Sequence, residues 1–260
     1  MARANRHHIP GQVWHITHRC HQKELLLKFG RDRKRWLQWL FEAKKRYGLD
    51  ILNYTITSNH IHLLVVDGER EVIPKSLQLV AGKTAQEFNR RKERKGAFWE
   101  DRYHATAIET GEHFLRCLVY IDLNMVRNGV VQHPSAWQHG GYSEIQNPPR
   151  RYALINRDKR IASCGFESDQ QLRKSHQQWV EEALHDGGTI RQPEWTERIA
   201  VGSEGFVNGV LEKLERRVPG RKIRTGVDHY ELKEPVGAYS AFFTRKNGLL
   251  RVENRFPWRE

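Results

Sequence analysis

The chain has 260 residues, 38% of them hydrophobic, which is enough for one large domain or two small ones with a real core. Its formal charge of +13 exceeds what solubility needs and favours a polyanion as partner, nucleic acid before membrane. No run approaches the roughly 18 apolar residues of a spanning helix, and the three cysteines, Cys20, Cys117 and Cys164, lack C-x-x-C spacing. A membrane protein, a disulfide framework and a zinc knuckle are therefore not expected, and a reducing cytoplasm fits.

The first predicted elements are a strand and an amphipathic helix. Gln12 to His18 is rich in β-branched and aromatic residues, which predicts a strand. Its two histidines, His15 and His18, lie on opposite strand faces, and we interpret both as partly exposed structural residues rather than ligands. Asp32 to Tyr47 repeats apolar residues at helical spacing, so its tryptophans are expected to pack in the core.

A pair of histidines in the third predicted strand is the first candidate for chemistry. Leu49 to Thr57 alternates well enough for a second strand, and Ser58-Asn59 is a turn that leads into an apolar run ending at Val66. Side chains alternate faces along a strand, so His60 and His62 point the same way. About 0.75 H-x-H pairs are expected from 14 histidines in 260 residues, so this pair needs partners from elsewhere in the chain.

A second predicted helix begins near Ser76 and runs into a cationic segment that ends at Gly96. Two interpretations of this segment carry equal weight. It is either a solvated helix end that complements the helix dipole or a patch that contacts phosphate. Its cations are Arg90, Arg91, Lys92, Arg94 and Lys95.

A further strand from Arg102 to Glu109 completes the order β-α-β-β-α-β. This order predicts the fold class α+β, with a ferredoxin-like split βαβ: a four-stranded antiparallel sheet with helices on one face. The other face of the sheet would then be open, a surface that single-stranded nucleic acid uses on other folds.

A third predicted helix, Glu112 to Val126, carries polar residues away from its apolar stripe. Arg116, Tyr120 and Asn124 follow one another at intervals of four and share a face. Spacing alone favours packing and helix-end roles for Tyr120 and Asn124. Their combination with the histidine pair favours a shared site.

Several ordered segments of the chain share the motifs and the spacing of one family. They are Pro10 to Thr17, Asn59 to Val65, Phe88 to Arg91, Phe98 to Tyr103, Tyr120 to Gly129, and Trp137 with Tyr142-Ser143. These segments, spanning about residues 9 to 145, resemble the single-tyrosine HUH transposases of the IS200-like superfamily, specifically the REP-associated tyrosine transposases. Ser58 and Met125 stand where that family usually has proline, and Met125 would let the tyrosine helix run on.

The resemblance implies a metal-dependent enzyme that cleaves and joins DNA. Tyr120 would be the nucleophile and would form a 5′-phosphotyrosine, while His60, His62 and Asn124 would hold one divalent metal, Mg²⁺ or Mn²⁺. The metal ion and nearby positive charge would favour the deprotonated, phenolate form of Tyr120. Arg116 and Arg127 are candidates for that role or for phosphate contact, a solvated helix face being the alternative. The expected DNA-binding residues are Arg90, Arg91, Lys92, Arg94, Lys95, Arg102, Arg116 and Arg127.

The implied partner is single-stranded or hairpin DNA of the REP-like palindromic kind, in a bacterial cytoplasm and associated with the nucleoid. The alternative is a domesticated DNA-binding protein that no longer turns over, and a replication-initiator-type nickase is weaker. The sequence leaves monomer and homodimer open.

The composition changes beyond Pro148-Pro149, which predicts two domains: residues 1–150 as the catalytic domain and residues 151–260 as a basic, mainly helical extension. Helices are expected at Ser168 to Leu184 and between Thr196 and Leu214. Basic segments at Arg216-Arg217, Arg221 to Arg224 and Arg245 to Arg259 are either accessory DNA contacts or a solvated tail.

Overall fold

The computed structural model describes residues 8–185, 190–215, 222–226 and 228–233. Its first part follows the predicted order of strands and helices. The elements are β1 (Val13–Arg19), α1 (Gly30–Tyr47), β2 (Asp50–Ile56), β3 (His60–Val66), α2 (Val72–Arg91) and β4 (His104–Ile108). These four strands are antiparallel in the order β2-β3-β1-β4, the order of a split βαβ.

The sheet is larger than predicted. β5 (Ala200–Gly202) adds to β4 in parallel, β7 (Tyr230–Lys233) pairs with β5, and β6 (Lys222–Thr225) lies outermost. The described residues thus form a seven-stranded mixed sheet, and the prediction of four antiparallel strands was wrong. β5 has only three residues, too short for a period of two to separate it from the helical pattern around it.

Helices α1 and α2 pack side by side on one face of the sheet, called the α1/α2 face below. Trp36, Leu40 and Ala43 are buried, which confirms the predicted core stripe of α1. Helix α2 begins at Val72, four residues before the prediction, because Pro74 falls in its first turn, where proline costs no hydrogen bond.

The opposite face, called the α3 face, is covered by the remaining helices. They are α3 (Glu112–Asp122), α4 (Asn124–Arg127), α5 (Tyr142–Gln146), α6 (Arg157–Cys164), α7 (Asp169–His185), α8 (Glu194–Glu197) and α9 (Glu204–Glu215). Helix α3 contacts β2, and α8 contacts β1 and β4. The expected open face was therefore wrong: β2 and β3 are buried along almost their whole length, as strands covered on both faces are.

The tyrosine helix ends at Asp122 instead of running on through Met125. At this break the Thr55 hydroxyl of β2 donates to the carbonyl of Ile121 at 3.1 Å. In a continuous helix that carbonyl would accept from the amide of Met125. The chain thus turns at Leu123 into α4, and the expectation attached to Met125 was wrong.

The described residues beyond 150 share the core of the earlier ones. Leu154, Leu172 and Leu232 belong to the same buried cluster as Ile16 and Leu63. The division at residue 150 stays a prediction, and core contacts cross it. The basic segments at Arg216-Arg217 and Arg245 to Arg259 lie outside the described residues, and so does Arg221. None of the helices within the described ranges has the length and apolar content that crossing a bilayer requires.

Candidate active site

A cavity of about 660 Å³ opens on the α3 face at the histidine pair. Six of the predicted site residues line it: His60, His62, Arg102, Tyr120, Asn124 and Arg127. They come from β3, from the segment before β4, and from α3 and α4. The fold therefore brings together residues that stand up to 67 positions apart in the sequence.

The two histidines of β3 have neighbouring rings, with centroids 4.9 Å apart. The Nδ1 atom of His60 lies 2.7 Å from the amide oxygen of Asn59 and 2.9 Å from the hydroxyl of Thr57. These contacts occupy Nδ1, so Nε2 is the nitrogen through which His60 can bind a ligand. His62 is 2% exposed, and its Nε2 accepts from the side-chain amide of Asn124 at 2.9 Å.

A third histidine, His15, completes this group. It lies on β1, is fully buried, and bonds through Nε2 to His62 Nδ1 at 2.9 Å. Its Nδ1 donates to the backbone carbonyl of Trp195 at 2.7 Å. The interpretation of His15 and His18 as partly exposed was wrong, since His18 is also buried and bonds to the carbonyl of Asp101. Thr17 of β1 pairs with His62 of β3, and His15 lies on the same face of the sheet as Thr17. Only this register between the two strands shows that His15 is a neighbour of His62.

Burial keeps these imidazoles neutral. It lowers the pKa of His15 to about 3 and that of His60 to about 4, and it holds the pKa of His62 well below its usual value. The nearby positive charge of Arg127 adds to each of these shifts. At neutral pH the three rings therefore offer lone pairs rather than positive charge.

Tyr120 stands edge-on to two of these rings in the last turn of α3. Its ring centroid lies 6.1 Å from that of His62 and 6.2 Å from that of His15. The guanidinium of Arg127 lies 3.9 Å above the tyrosine ring and donates to the Tyr120 carbonyl at 2.6 Å. Burial raises the pKa of Tyr120, and Arg127 acts in the opposite direction without cancelling that effect. Positive charge thus favours the phenolate as predicted, but burial outweighs it.

The predicted metal ligands meet in this cavity. Asn124 contacts His62 directly, and Asn128 Nδ2 donates to Asn124 Oδ1 at 3.3 Å. Among the described residues, no group of three or more His, Cys, Asp or Glu is placed to hold a metal ion. The set of His60, His62 and Asn124 differs from such groups because its third member is an amide.

The remaining predicted DNA-binding residues lie outside the cavity lining. Arg116 forms an ion pair with the carboxylate of Asp228. In the cationic segment, Arg91 donates to Asp32 Oδ1 at 2.5 Å and Arg94 donates to the Ala97 carbonyl at 2.8 Å. The other three cations of that segment, Arg90, Lys92 and Lys95, are exposed.

Sequence reasoning missed the contribution of the C-terminal part to the cavity. Arg191, Thr196 and Glu197 line it from the segment around α8. No motif marks these residues, and only the packing of α8 against β1 and β4 brings them to the site.

Comparison with known proteins gives one family and several solved structures. Residues 11–124 match the family model described as transposase IS200 like. No curated protein matches the chain. A solved REP-associated tyrosine transposase bound to a REP hairpin is 18% identical, with a TM-score of 0.47, over 60% of this chain and 92% of that one. A transposase-like protein from Deinococcus radiodurans R1 is 16% identical, with a TM-score of 0.33, over 43% of this chain and 88% of that one.

Proposed function

We propose that this protein, whose residues 11–124 match the family model of IS200-like transposases, cleaves and rejoins single-stranded or hairpin DNA with Tyr120 as nucleophile. One observation carries the proposal: Tyr120, His60, His62 and Asn124 line one cavity, although β3 and the tyrosine helix are far apart in sequence. A residue set that only packed the core would not need to share an opening to solvent.

The chemistry is a displacement at phosphorus. The phenolic oxygen of Tyr120 forms a bond to phosphorus while the bond to the 3′ oxygen breaks. The tyrosine loses its proton, and the leaving 3′ oxygen takes one up. The products are a 5′-phosphotyrosine and a free 3′-hydroxyl, and attack of a 3′-hydroxyl on the phosphotyrosine reverses the step. One site therefore serves both cleavage and joining.

The family implies a divalent metal ion, and the residues of this cavity fit one. His60 and His62 are held neutral by burial, and Asn124 is in contact with His62 Nε2. Ligation by both His62 and Asn124 requires the amide to present its oxygen rather than its nitrogen. Two imidazoles and an amide oxygen suit Mn²⁺ or Mg²⁺ better than a structural zinc set. When bound, such an ion withdraws charge from a phosphoryl oxygen.

Arginines supply positive charge to the site from the protein itself. Arg127 lies over the ring of Tyr120, where its charge opposes the rise in pKa caused by burial and so helps the proton to leave. Arg102 and Arg191 line the same cavity, where they can contact the phosphates on either side of the scissile bond.

The substrate proposed here is a REP-like palindromic hairpin with a single-stranded flank. A buried nucleophile beside a sheet reaches an extruded backbone more readily than a stacked duplex. The cationic segment of α2, with Arg90, Lys92 and Lys95 exposed, adds attraction for phosphate at long range. We place the activity at the bacterial nucleoid, where such repeats lie.

The test is covalent capture of the DNA. Wild-type protein is incubated with a labelled hairpin and Mn²⁺ and run on a denaturing gel, beside Tyr120→Phe and Tyr142→Phe. Tyr142 is also buried, on α5, but it does not line the cavity, so it is the matched control. We expect an adduct with wild type and Tyr142→Phe and none with Tyr120→Phe. An undiminished adduct in Tyr120→Phe would refute the nucleophile, and tight binding without any wild-type adduct would favour the domesticated DNA-binding protein.

A further inference from the structure

Three side chains and one backbone carbonyl form a continuous hydrogen-bonded chain from α4 to α8. Asn124 Nδ2 donates to His62 Nε2 at 2.9 Å. His62 Nδ1 lies 2.9 Å from His15 Nε2, and His15 Nδ1 lies 2.7 Å from the Trp195 carbonyl oxygen. The rings of His15 and His62 are also stacked, with centroids 5.1 Å apart and planes 16° apart.

The carbonyl at the end of this chain sets the direction of each hydrogen bond. A carbonyl oxygen can only accept, so the proton of His15 is on Nδ1. His15 is fully buried between the Trp195 carbonyl and the His62 ring, where no carboxylate among the described residues bonds to it, so the ring is neutral and its Nε2 must accept. His62 therefore carries its proton on Nδ1. Its Nε2 is left as an acceptor, on the side of the cavity and of Asn124.

Burial leaves little access for water to replace either partner. His15 is 0% exposed, His62 is 2% exposed and Trp195 is 3% exposed. Buried polar atoms need partners from the protein, and His15 is the partner of His62 Nδ1. Without an acceptor at that position, the ring of His62 would gain by moving its proton to Nε2, where Asn124 Oδ1 could accept after the amide turns over.

Two further hydrogen bonds involve the segment that carries the Trp195 carbonyl. The indole of Trp195 donates to Gln192 Oε1 at 2.7 Å, within the same segment. Three residues further on, the Arg198 carbonyl accepts from the Thr106 hydroxyl at 2.6 Å. The second of these contacts joins the segment to β4. The acceptor that orients the histidines thus comes from a part of the chain outside residues 11–124, which match the family.

We propose that His15 is a positioning residue: held by the Trp195 carbonyl, it fixes His62 in the Nδ1-protonated tautomer, which leaves His62 Nε2 without a proton, as binding of a divalent metal ion requires. The C-terminal segment around α8 is then part of the metal site through one backbone atom. Histidine ligands in proteins commonly donate their second nitrogen to such a partner, and loss of that partner costs about 10- to 100-fold in metal affinity. The metal part of this inference rests on the proposed function, whereas the tautomer does not.

Two readouts test the inference on the full-length protein. The first is the ¹⁵N spectrum of histidine-labelled protein, which distinguishes the two neutral tautomers of His62. The second is Mn²⁺ affinity, measured by electron paramagnetic resonance. The variants are His15→Leu, which removes the acceptor, and His15→Gln, whose side-chain oxygen can replace His15 Nε2. His139→Leu is the control, because His139 is also buried but does not line the cavity.

We expect wild-type His62 to be protonated on Nδ1, His15→Leu to lose that signature, and His15→Gln to retain it. Mn²⁺ affinity should fall about 10- to 100-fold in His15→Leu and stay within about threefold of wild type in His15→Gln and His139→Leu. Wild-type His62 protonated on Nε2, or unchanged tautomer and affinity in His15→Leu, would overturn the inference.

If His15→Leu does not fold, the wild-type spectrum and His15→Gln still decide it. If wild type binds no Mn²⁺, the metal proposal fails while the tautomer spectrum still tests His15.

Discussion

The two faces of the sheet differ in their basic side chains: one carries exposed lysines and arginines, and the other carries the histidines of the proposed site. On the α1/α2 face the cations are ionised and reach solvent, and some form ion pairs, such as Arg35 with Glu87 at 2.6 Å. On the α3 face His15 and His62 are buried and His60 is half-buried, and these three histidines are neutral because burial lowers their pKa values. One face can therefore attract phosphate over a distance. The other binds only what reaches the cavity, through the lone pairs of these histidines and the arginines that line it.

This contrast separates DNA binding from DNA chemistry, and each can be removed without the other. His62→Ala should lower cleavage of a hairpin by at least about a thousandfold, because a group that stabilises transition-state charge is lost with the metal. The dissociation constant for the hairpin should stay within about threefold, since the cations of the α1/α2 face are untouched. Cleavage rates on saturating DNA and a binding titration measure the two effects. Cleavage within about tenfold of wild type would break the contrast.

The α3 face also contains a hydrogen bond between two fully buried ionisable side chains. His176 of α7 donates to Asp122 Oδ2 at 2.8 Å, and both side chains are inaccessible to solvent. His176→Leu should lower the free energy of unfolding by about 3 kcal/mol, because it leaves a buried carboxyl group without this partner. Urea unfolding measures the loss. Gln177→Leu, exposed on the same helix, is the control and should change it by less than about 0.5 kcal/mol.

The role of the α1/α2 face is tested by charge removal at one end of its helices. The triple variant Arg90→Gln, Lys92→Gln, Lys95→Gln should reduce the slope of log affinity against log salt by about 2 to 3, since each phosphate contact releases counterions. Cleavage at saturating DNA should change little.

The matched control removes three charges at the opposite end of the same two helices, at Lys45, Arg46 and Lys75, all exposed. It alters the net charge equally. An equal effect of both triple variants on the slope would show that the attraction is a property of the total charge and not of the cationic segment.

The part of the proposed site that lies on β3, α3 and α4 could be predicted from the sequence, because single residues and local periodicity are enough to find it. Alternation along a strand placed His60 and His62 on one side, and helical spacing placed Tyr120 and Asn124 together. The same spacing also grouped Arg116 with them, but Arg116 pairs with Asp228 outside the cavity lining. Spacing cannot separate Arg116 from Tyr120, because they lie four positions apart on the same helix and differ only in the tertiary contacts that each meets.

The rest of the site depends on contacts that no local pattern reports. The role of His15 follows from the pairing of Thr17 with His62, which is a matter of register between two strands. Trp195 reaches the site on α8, a helix of four residues that packs on β1 and β4. Such features arise from tertiary packing, so they appear only with the whole fold.

The neutral state of the α3 face has a consequence for stability that is smaller than the effects above. The imidazole of His15 takes up a proton near pH 6.5 in the unfolded chain. In the folded protein it does so only near pH 3, because burial lowers its pKa to about 3. Between these values the unfolded state binds more protons, so the free energy of unfolding falls as pH falls below 6.5. His15→Gln removes this titrating group. The slope of the free energy of unfolding against pH should therefore fall by up to about 1.4 kcal/mol per pH unit between pH 6 and pH 5. Urea unfolding at several pH values measures it.

Above pH 7.5 the difference in free energy of unfolding between wild type and variant should be constant, which is the internal control. An unchanged slope in His15→Gln would mean that the imidazole is charged inside the fold, and the contrast between the two faces would be lost.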